Sequence, residues 1–178
     1  MTTDGGGWLL VSDVVVGNSS RRFNFPVETS YRGVSNSPKV LSKTAMNQLR
    51  THLSFTQLRF FCRKQRTFHV ITTKNSSGEA VVQYFSGQTD TQPASCGSYV
   101  KMDDDDSVLA GICSKWGYDG SFNVGKWGHM RDQTRLYDHP VVAFYGRVFW
   151  IAPNSNRWEC DDIYTGVTSG NVWKIFVR

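Results

Sequence analysis

Apolar and polar positions alternate most clearly in two stretches far apart in the chain. Trp8-Leu9-Leu10-Val11 reads as a strand, and Asp13-Val14-Val15-Val16 continues it or pairs with it. Residues 172–178, Val-Trp-Lys-Ile-Phe-Val-Arg, alternate well and read as a closing strand. Its expected partner is the apolar run at residues 147–152. Between these stretches the period changes. Ala45, Met46, Leu49 and Leu53 recur at helical spacing behind Ser42, whose hydroxyl can accept from an early backbone N–H, so a helix is predicted from there to about Leu53. Residues 58–64, 67–73 and 79–85 read as strands, with Lys74-Asn75-Ser76-Ser77-Gly78 as a hairpin turn between the last two. From Ser86 onward the pattern becomes irregular. The fold class expected is α+β: a single compact domain over residues 1–178, mostly short β-strands and long irregular loops, with one main α-helix.

Composition sharpens this in three ways. At 39% hydrophobic residues, 178 positions suffice for a real core, and 13% aromatics with 16 glycines suit a loop-rich fold better than a helical bundle. No apolar run approaches the length of a membrane-spanning helix, so no membrane insertion is expected. The net charge of +5 is uneven: residues 1–74 carry 11 Lys/Arg against 3 Asp/Glu, a balance of +8, whereas residues 75–178 carry 9 against 12, a balance of −3. The cations are scattered over several elements, which argues against nucleic acid as partner, and a cation site is sought in the acidic half.

The four cysteines, Cys62, Cys96, Cys113 and Cys160, form no CxxC pair, so a zinc finger is not expected. Their even number, with the Asn18-Ser19-Ser20 and Asn75-Ser76-Ser77 sequons, points to a secreted protein with disulfides. Three pairings are open, and Cys96 with Cys113 is favoured because it closes a short loop. The opening Met1-Thr2-Thr3-Asp4-Gly5 has neither a charged nor an apolar leader region and reads as a mature domain behind an added Met.

Chemistry concentrates in Trp158-Glu159-Cys160-Asp161-Asp162-Ile163-Tyr164, where three carboxylates and a cysteine lie between two aromatic residues. Calcium is a hard cation that takes six to eight oxygens, and such a loop offers them. A calcium ion with open positions holds sugar hydroxyls, and Trp158, Tyr164 or Trp150 offers an apolar face to the ring. The alternative is a solvated turn. Asp103-Asp104-Asp105-Asp106 lacks EF-hand spacing and reads as a solvated or structural segment before a second calcium site. The pairs Trp116-Gly117 and Trp127-Gly128 read as core-anchored turns, and the glycines at 5–7 lack the GxGxxG spacing of a nucleotide loop.

Thr3-Asp4-Gly5-Gly6-Gly7-Trp8 resembles the opening of fibrinogen-like domains, including the intelectin lectins, and the helix followed by Leu58-Arg59-Phe60 resembles their helix–strand pair. The Asp138-His139-Pro140, Glu159-Cys160-Asp161-Asp162 and Trp173-Lys174-Ile175-Phe176-Val177-Arg178 stretches resemble the small calcium-dependent galactose lectins of sea anemones. The resemblance implies a fibrinogen-like fold and a glycan-binding Ca²⁺. The ligand Asp after a cysteine is matched by Asp161 or Asp162, the acidic–His pair by Asp138 and His139, and Asn154 lies near where an acidic ligand belongs. Glu159 completes the expected metal set; Trp158, Glu159, Asp162, Tyr164, His139 and Trp150 form the expected sugar-contacting set. The chain is shorter than an intelectin and lacks most of its cysteines, so further loops are not carried over.

A secreted calcium-dependent lectin for galactose-terminated glycans would bind weakly per site, with a Kd on the order of 1 mM. It would gain about 10²–10⁴ from a homodimer. A glycosidase needs two carboxylates flanking the scissile bond, which adjacent residues of one loop rarely supply, and no GxSxG or HExxH pattern occurs, so no enzyme is expected. A fibrinogen-like protein-binding module would use calcium only to stiffen the fold.

Overall fold

The computed structural model describes residues 6–17, 27–33, 39–117, 124–128, 160–161 and 168–178. The class is α+β. Among the described residues, seven strands form one sheet: β1 (Leu9–Val15), β2 (Val27–Glu28), β3 (Lys39–Leu41), β4 (Leu58–Arg63), β5 (Thr67–Thr72), β6 (Tyr99–Lys101) and β7 (Val172–Val177). Their spatial order is β2-β3-β1-β7-β4-β5-β6, antiparallel throughout except for the short β2–β3 pair. Trp8 leads into β1, which runs as one strand through Asp13 with a register shift between Leu10 and Ser12.

β7 lies at the centre. It pairs with β1 from Leu9↔Val177 to Val15↔Val172 and with β4 from Leu58↔Val177 to Arg63↔Val172. Both of its hydrogen-bonding edges are therefore taken along its whole length. The expected pairing of this strand with residues 147–152 is corrected by that register, because a strand has only two edges; residues 147–152 themselves lie outside the described residues.

Alternation sorts the two faces of β4 and β7. Leu58, Phe60, Cys62, Trp173, Ile175 and Val177 are buried on the inner face, while Arg59, Phe61 and Arg63 occupy the other. Two helices, α1 (Lys43–Leu53) and α2 (Ser76–Phe85), contribute to the same core as the inner face. Ser42 caps α1, its Oγ accepting from the Ala45 amide at 3.1 Å, and Ala45, Met46 and Leu49 are buried. Leu53, expected on the apolar face, is 53% exposed. It is the last helical residue, and Ser54 then turns the chain away in a left-handed conformation with φ 49°.

The second helix corrects the expected strand at 79–85 and the hairpin turn before it. Asn75 is a helix N-cap: its Oδ1 accepts from the Gly78 amide at 3.0 Å and from the Thr73 hydroxyl at 2.6 Å. Glu79 in the first turn suits the positive end of the helix dipole. Gly78, Val81, Val82 and Phe85 are buried, a spacing of three, four and seven that only a helix brings to one face. A Cβ on Gly78 would stand 1.9 Å from the Thr73 carbonyl oxygen, so the absence of a side chain lets α2 fold back this close to the end of β5. Arg50 of α1 and Glu79 of α2 form an ion pair at 2.8 Å that ties the helices together.

The Trp-Gly pairs are core-anchored turns, as read. Trp116 and Trp127 are fully buried and meet edge to face, with ring centroids 4.8 Å apart. Tyr99 stacks on Trp116 at 4.8 Å. Each indole N–H is satisfied, Trp116 by the Leu109 carbonyl at 3.0 Å and Trp127 by the Ser98 hydroxyl at 2.8 Å. Gly117, at φ +74°, could carry no side chain: a Cβ there would lie 2.3 Å from the Lys126 carbonyl oxygen.

Candidate functional site

Of the acidic stretch, Cys160 and Asp161 are described, and Cys160 is bonded to the sheet. The disulfides are Cys62–Cys160 and the expected Cys96–Cys113. Cys62 sits on the inner face of β4, opposite Trp173 on β7, and Cys160 is 1% exposed. The cystine therefore belongs to the core and fixes the backbone of the next residue.

That residue, Asp161, adopts a left-handed conformation with φ 52°. Its side chain is 2% exposed. The Leu109 amide donates to Oδ1 at 2.8 Å and the Val108 amide to Oδ2 at 2.9 Å. These two N–H groups open the 3₁₀ turn Leu109–Gly111 and have no earlier turn to bond to, so the carboxylate caps the turn from a distant part of the chain. Arg66, in the β4–β5 connection, stands 3.9 Å away. Burial pushes the Asp161 carboxyl above its ordinary range, and the nearby Asp105 adds to this; the two amides and Arg66 oppose it without overcoming it.

The Asp103–Asp106 run has the structural role expected of it. Strand β6 covers β5 only at Val70, Ile71 and Thr72, which leaves the Thr67 and His69 amides beyond its end. The Asp106 carboxylate accepts from the Thr67 amide at 2.6 Å, and the Asp105 carboxylate accepts from the His69 amide at 2.7 Å. Asp105 also takes the Ser107 amide and hydroxyl at 3.1 and 2.9 Å and the Lys101 ammonium at 3.3 Å. Asp104 meets Nδ1 of His69. Asp105 and Asp106 thus finish the edge of the sheet where the strand stops, and Asp104 holds the His69 ring beside it. Burial pushes the Tyr99 phenol above its ordinary range, and the nearby Asp105 adds to this.

These contacts bear on calcium. Among the described residues, no group of three or more His, Cys, Asp or Glu side chains could hold a metal ion. Asp161 has both oxygens engaged by backbone amides, and Asp104, Asp105 and Asp106 have protein partners of their own. Of the residues read as metal ligands, Asp161 is described; Asp138, His139, Asn154, Glu159 and Asp162 lie outside the described residues. So do Trp150, Trp158 and Tyr164 of the expected sugar-contacting set.

Sequence reasoning missed a polar chain on the outer sheet face. Arg59 on β4 donates from Nε to Nε2 of the buried His69 on β5 at 2.7 Å, and His69 reaches Asp104 through Nδ1. Arg59 and His69 lie 10 positions apart on successive strands, and Asp104 follows 35 positions later, after β6; the one available signal was the alternation of β4, which puts Arg59, Phe61 and Arg63 on one face. No helix among the described residues is long and apolar enough to cross a membrane. No family model, no curated protein and no solved structure matches the chain.

Proposed function

We propose that the protein is a secreted calcium-dependent lectin of fibrinogen-like type that binds terminal galactose. The ion would be held by Glu159 and Asp162 together with Asp138, His139 and Asn154, and would coordinate two adjacent sugar hydroxyls. Trp158, Tyr164 or Trp150 would cover the apolar face of the ring.

The observation that carries this reading is the tether. A cystine buried in the core and a carboxylate clamped by two amides hold positions 160 and 161. A metal loop gains affinity when its backbone is fixed before the ion arrives. Asp161 is occupied with that task, so of the two aspartates after the cysteine Asp162 is assigned to the ion. The two disulfides suit an oxidising compartment. A homodimer would supply the avidity that a single weak site lacks.

Calorimetric titration with galactose, glucose as control, tests the reading. Saturable galactose binding in calcium that disappears in EDTA supports it, and no binding of galactose in calcium rejects it. A second reading draws on the engagement of Asp104, Asp105, Asp106 and Asp161 with protein partners: a protein-binding module in which calcium only stiffens the fold. Thermal stabilisation by calcium without any response to sugar would favour that module.

A further inference from the structure

An open cleft of about 450 Å³ lies on the face of the sheet opposite the helices. Its floor is built from β4 and β7. Their register sets Arg59 beside Phe176, Phe61 beside Lys174 and Arg63 beside Val172. The outcome is a chequerboard: a cation and an apolar side chain in every rung, with the cation changing strand from one rung to the next. Positions on one face of a strand repeat every two residues, so successive cations are stepped along the cleft by about 7 Å. No carboxylate lines the cleft among the described residues.

The three cations differ in how they are held. Arg59 is fixed by its bond to His69 at 2.7 Å and lies over the Phe176 ring at 5.2 Å. Lys174 stands 3.3 Å from Asp13 on β1, which offsets part of its charge. Arg63 is exposed. The set keeps a positive balance, and the rings between the charges are partly exposed.

We propose that this cleft binds an acidic polysaccharide, a linear chain of pyranoses carrying sulfate or carboxylate groups, independently of calcium. Three features of the ligand match three of the cleft. Anionic groups recurring along the chain meet cations stepped along the strands. Guanidinium groups bond sulfate or carboxylate oxygens through paired N–H donors. The apolar face of a sugar ring lies on Phe61, between Arg59 and Arg63 along β4. Single-stranded nucleic acid also combines regular anions with flat rings. The two disulfides favour an extracellular polyanion over it. This site lies on other residues than the calcium site and stands or falls without it.

The test uses a heparin fragment of about six sugars, titrated into the whole protein at 0.15 M salt in EDTA. Wild type is expected to bind, with no response to an uncharged dextran fragment. Arg63→Glu is expected to weaken binding at least tenfold and Arg63→Gln less, both with an unchanged thermal midpoint because the side chain is exposed. Lys74→Glu, which removes an exposed cation beyond the end of β5, is expected to leave it within twofold. Absence of heparin binding by the wild type would overturn the proposal. So would equal losses in Arg63→Glu and Lys74→Glu, which would mean unspecific charge attraction. Tighter binding of a single-stranded oligonucleotide than of the heparin fragment would reject the acidic glycan in favour of nucleic acid.

Discussion

Arg59 and His69 are joined at 2.7 Å through Nε and Nε2, and this bond decides the state of the imidazole. A guanidinium N–H can only donate, so Nε2 is the accepting nitrogen and the proton sits on Nδ1, facing Asp104. One neutral histidine thereby links a cation on β4 to a carboxylate in the acidic run. His69→Leu removes the bonds to Arg59 and Asp104 from a side chain that is 3% exposed. Bonds to charged groups are worth about 1.5–3 kcal/mol each, and solvent recovers part of that. The expected loss is about 2 kcal/mol, read from the urea midpoint.

Gly78→Ala sets helix propensity against packing. Alanine favours a helix interior by about 1 kcal/mol over glycine. Here its methyl would be driven to 1.9 Å from the Thr73 carbonyl oxygen, which is backbone and cannot swing away. Overpacking of this kind costs about 1–3 kcal/mol or more, so the clash wins and the variant is expected to be less stable. A rise in thermal midpoint would show that α2 does not lie this close to β5.

Much of the architecture was legible because it rests on local pattern. The Ser42 cap, the buried Ala45, Met46 and Leu49, and the alternation of β4 and β7 are all written within short windows. Residues 79–85 were misread because Ala80 to Phe85 is nearly continuously apolar and fits either element. What decided the matter was Asn75, which serves a turn or a helix cap equally well in sequence. The site was less legible. Asp161 reads as a free carboxylate beside a cysteine, yet its partners are amides 52 and 53 residues earlier. Only the folded chain brings them together.

The two disulfides should differ in weight. Cys62–Cys160 spans 98 positions and Cys96–Cys113 spans 17. On the chain-entropy account a loop near 100 residues is worth about 4.7 kcal/mol and one near 15 about 3 kcal/mol. Cys62→Ala with Cys160→Ala is therefore expected to lower the denaturant midpoint more than Cys96→Ala with Cys113→Ala. It should also abolish the EDTA-sensitive response to galactose, because the acidic stretch loses its tether. The second pair of substitutions should leave that response in place.

Asp161 gives a pH dependence of defined sign. Its carboxyl titrates above the ordinary aspartate range in the folded protein. Between the unfolded and folded values the native state holds a proton that the unfolded chain has lost, so this group's contribution to stability falls as pH rises through that window. Asp161→Asn does not titrate and loses one acceptor. Its cost relative to wild type is expected to be larger near pH 4 than near pH 7. Asp161→Ala leaves the Leu109 amide without an acceptor in a buried position, while the exposed Val108 can turn its amide to water; a loss of about 1–3 kcal/mol follows. Urea denaturation across this pH range checks both.

The position of β7 between β1 and β4 has a further consequence for how the chain is made. Residue 9 cannot meet its neighbour until residue 177 has emerged, so during synthesis the two halves of the sheet wait with an open seam down the middle. Contacts this distant in sequence place the domain among slow folders, on the millisecond-to-second scale. The unzipped edges of β1 and β4 invite pairing with other chains over that interval. The two halves of the sheet are joined only when β7 enters between β1 and β4.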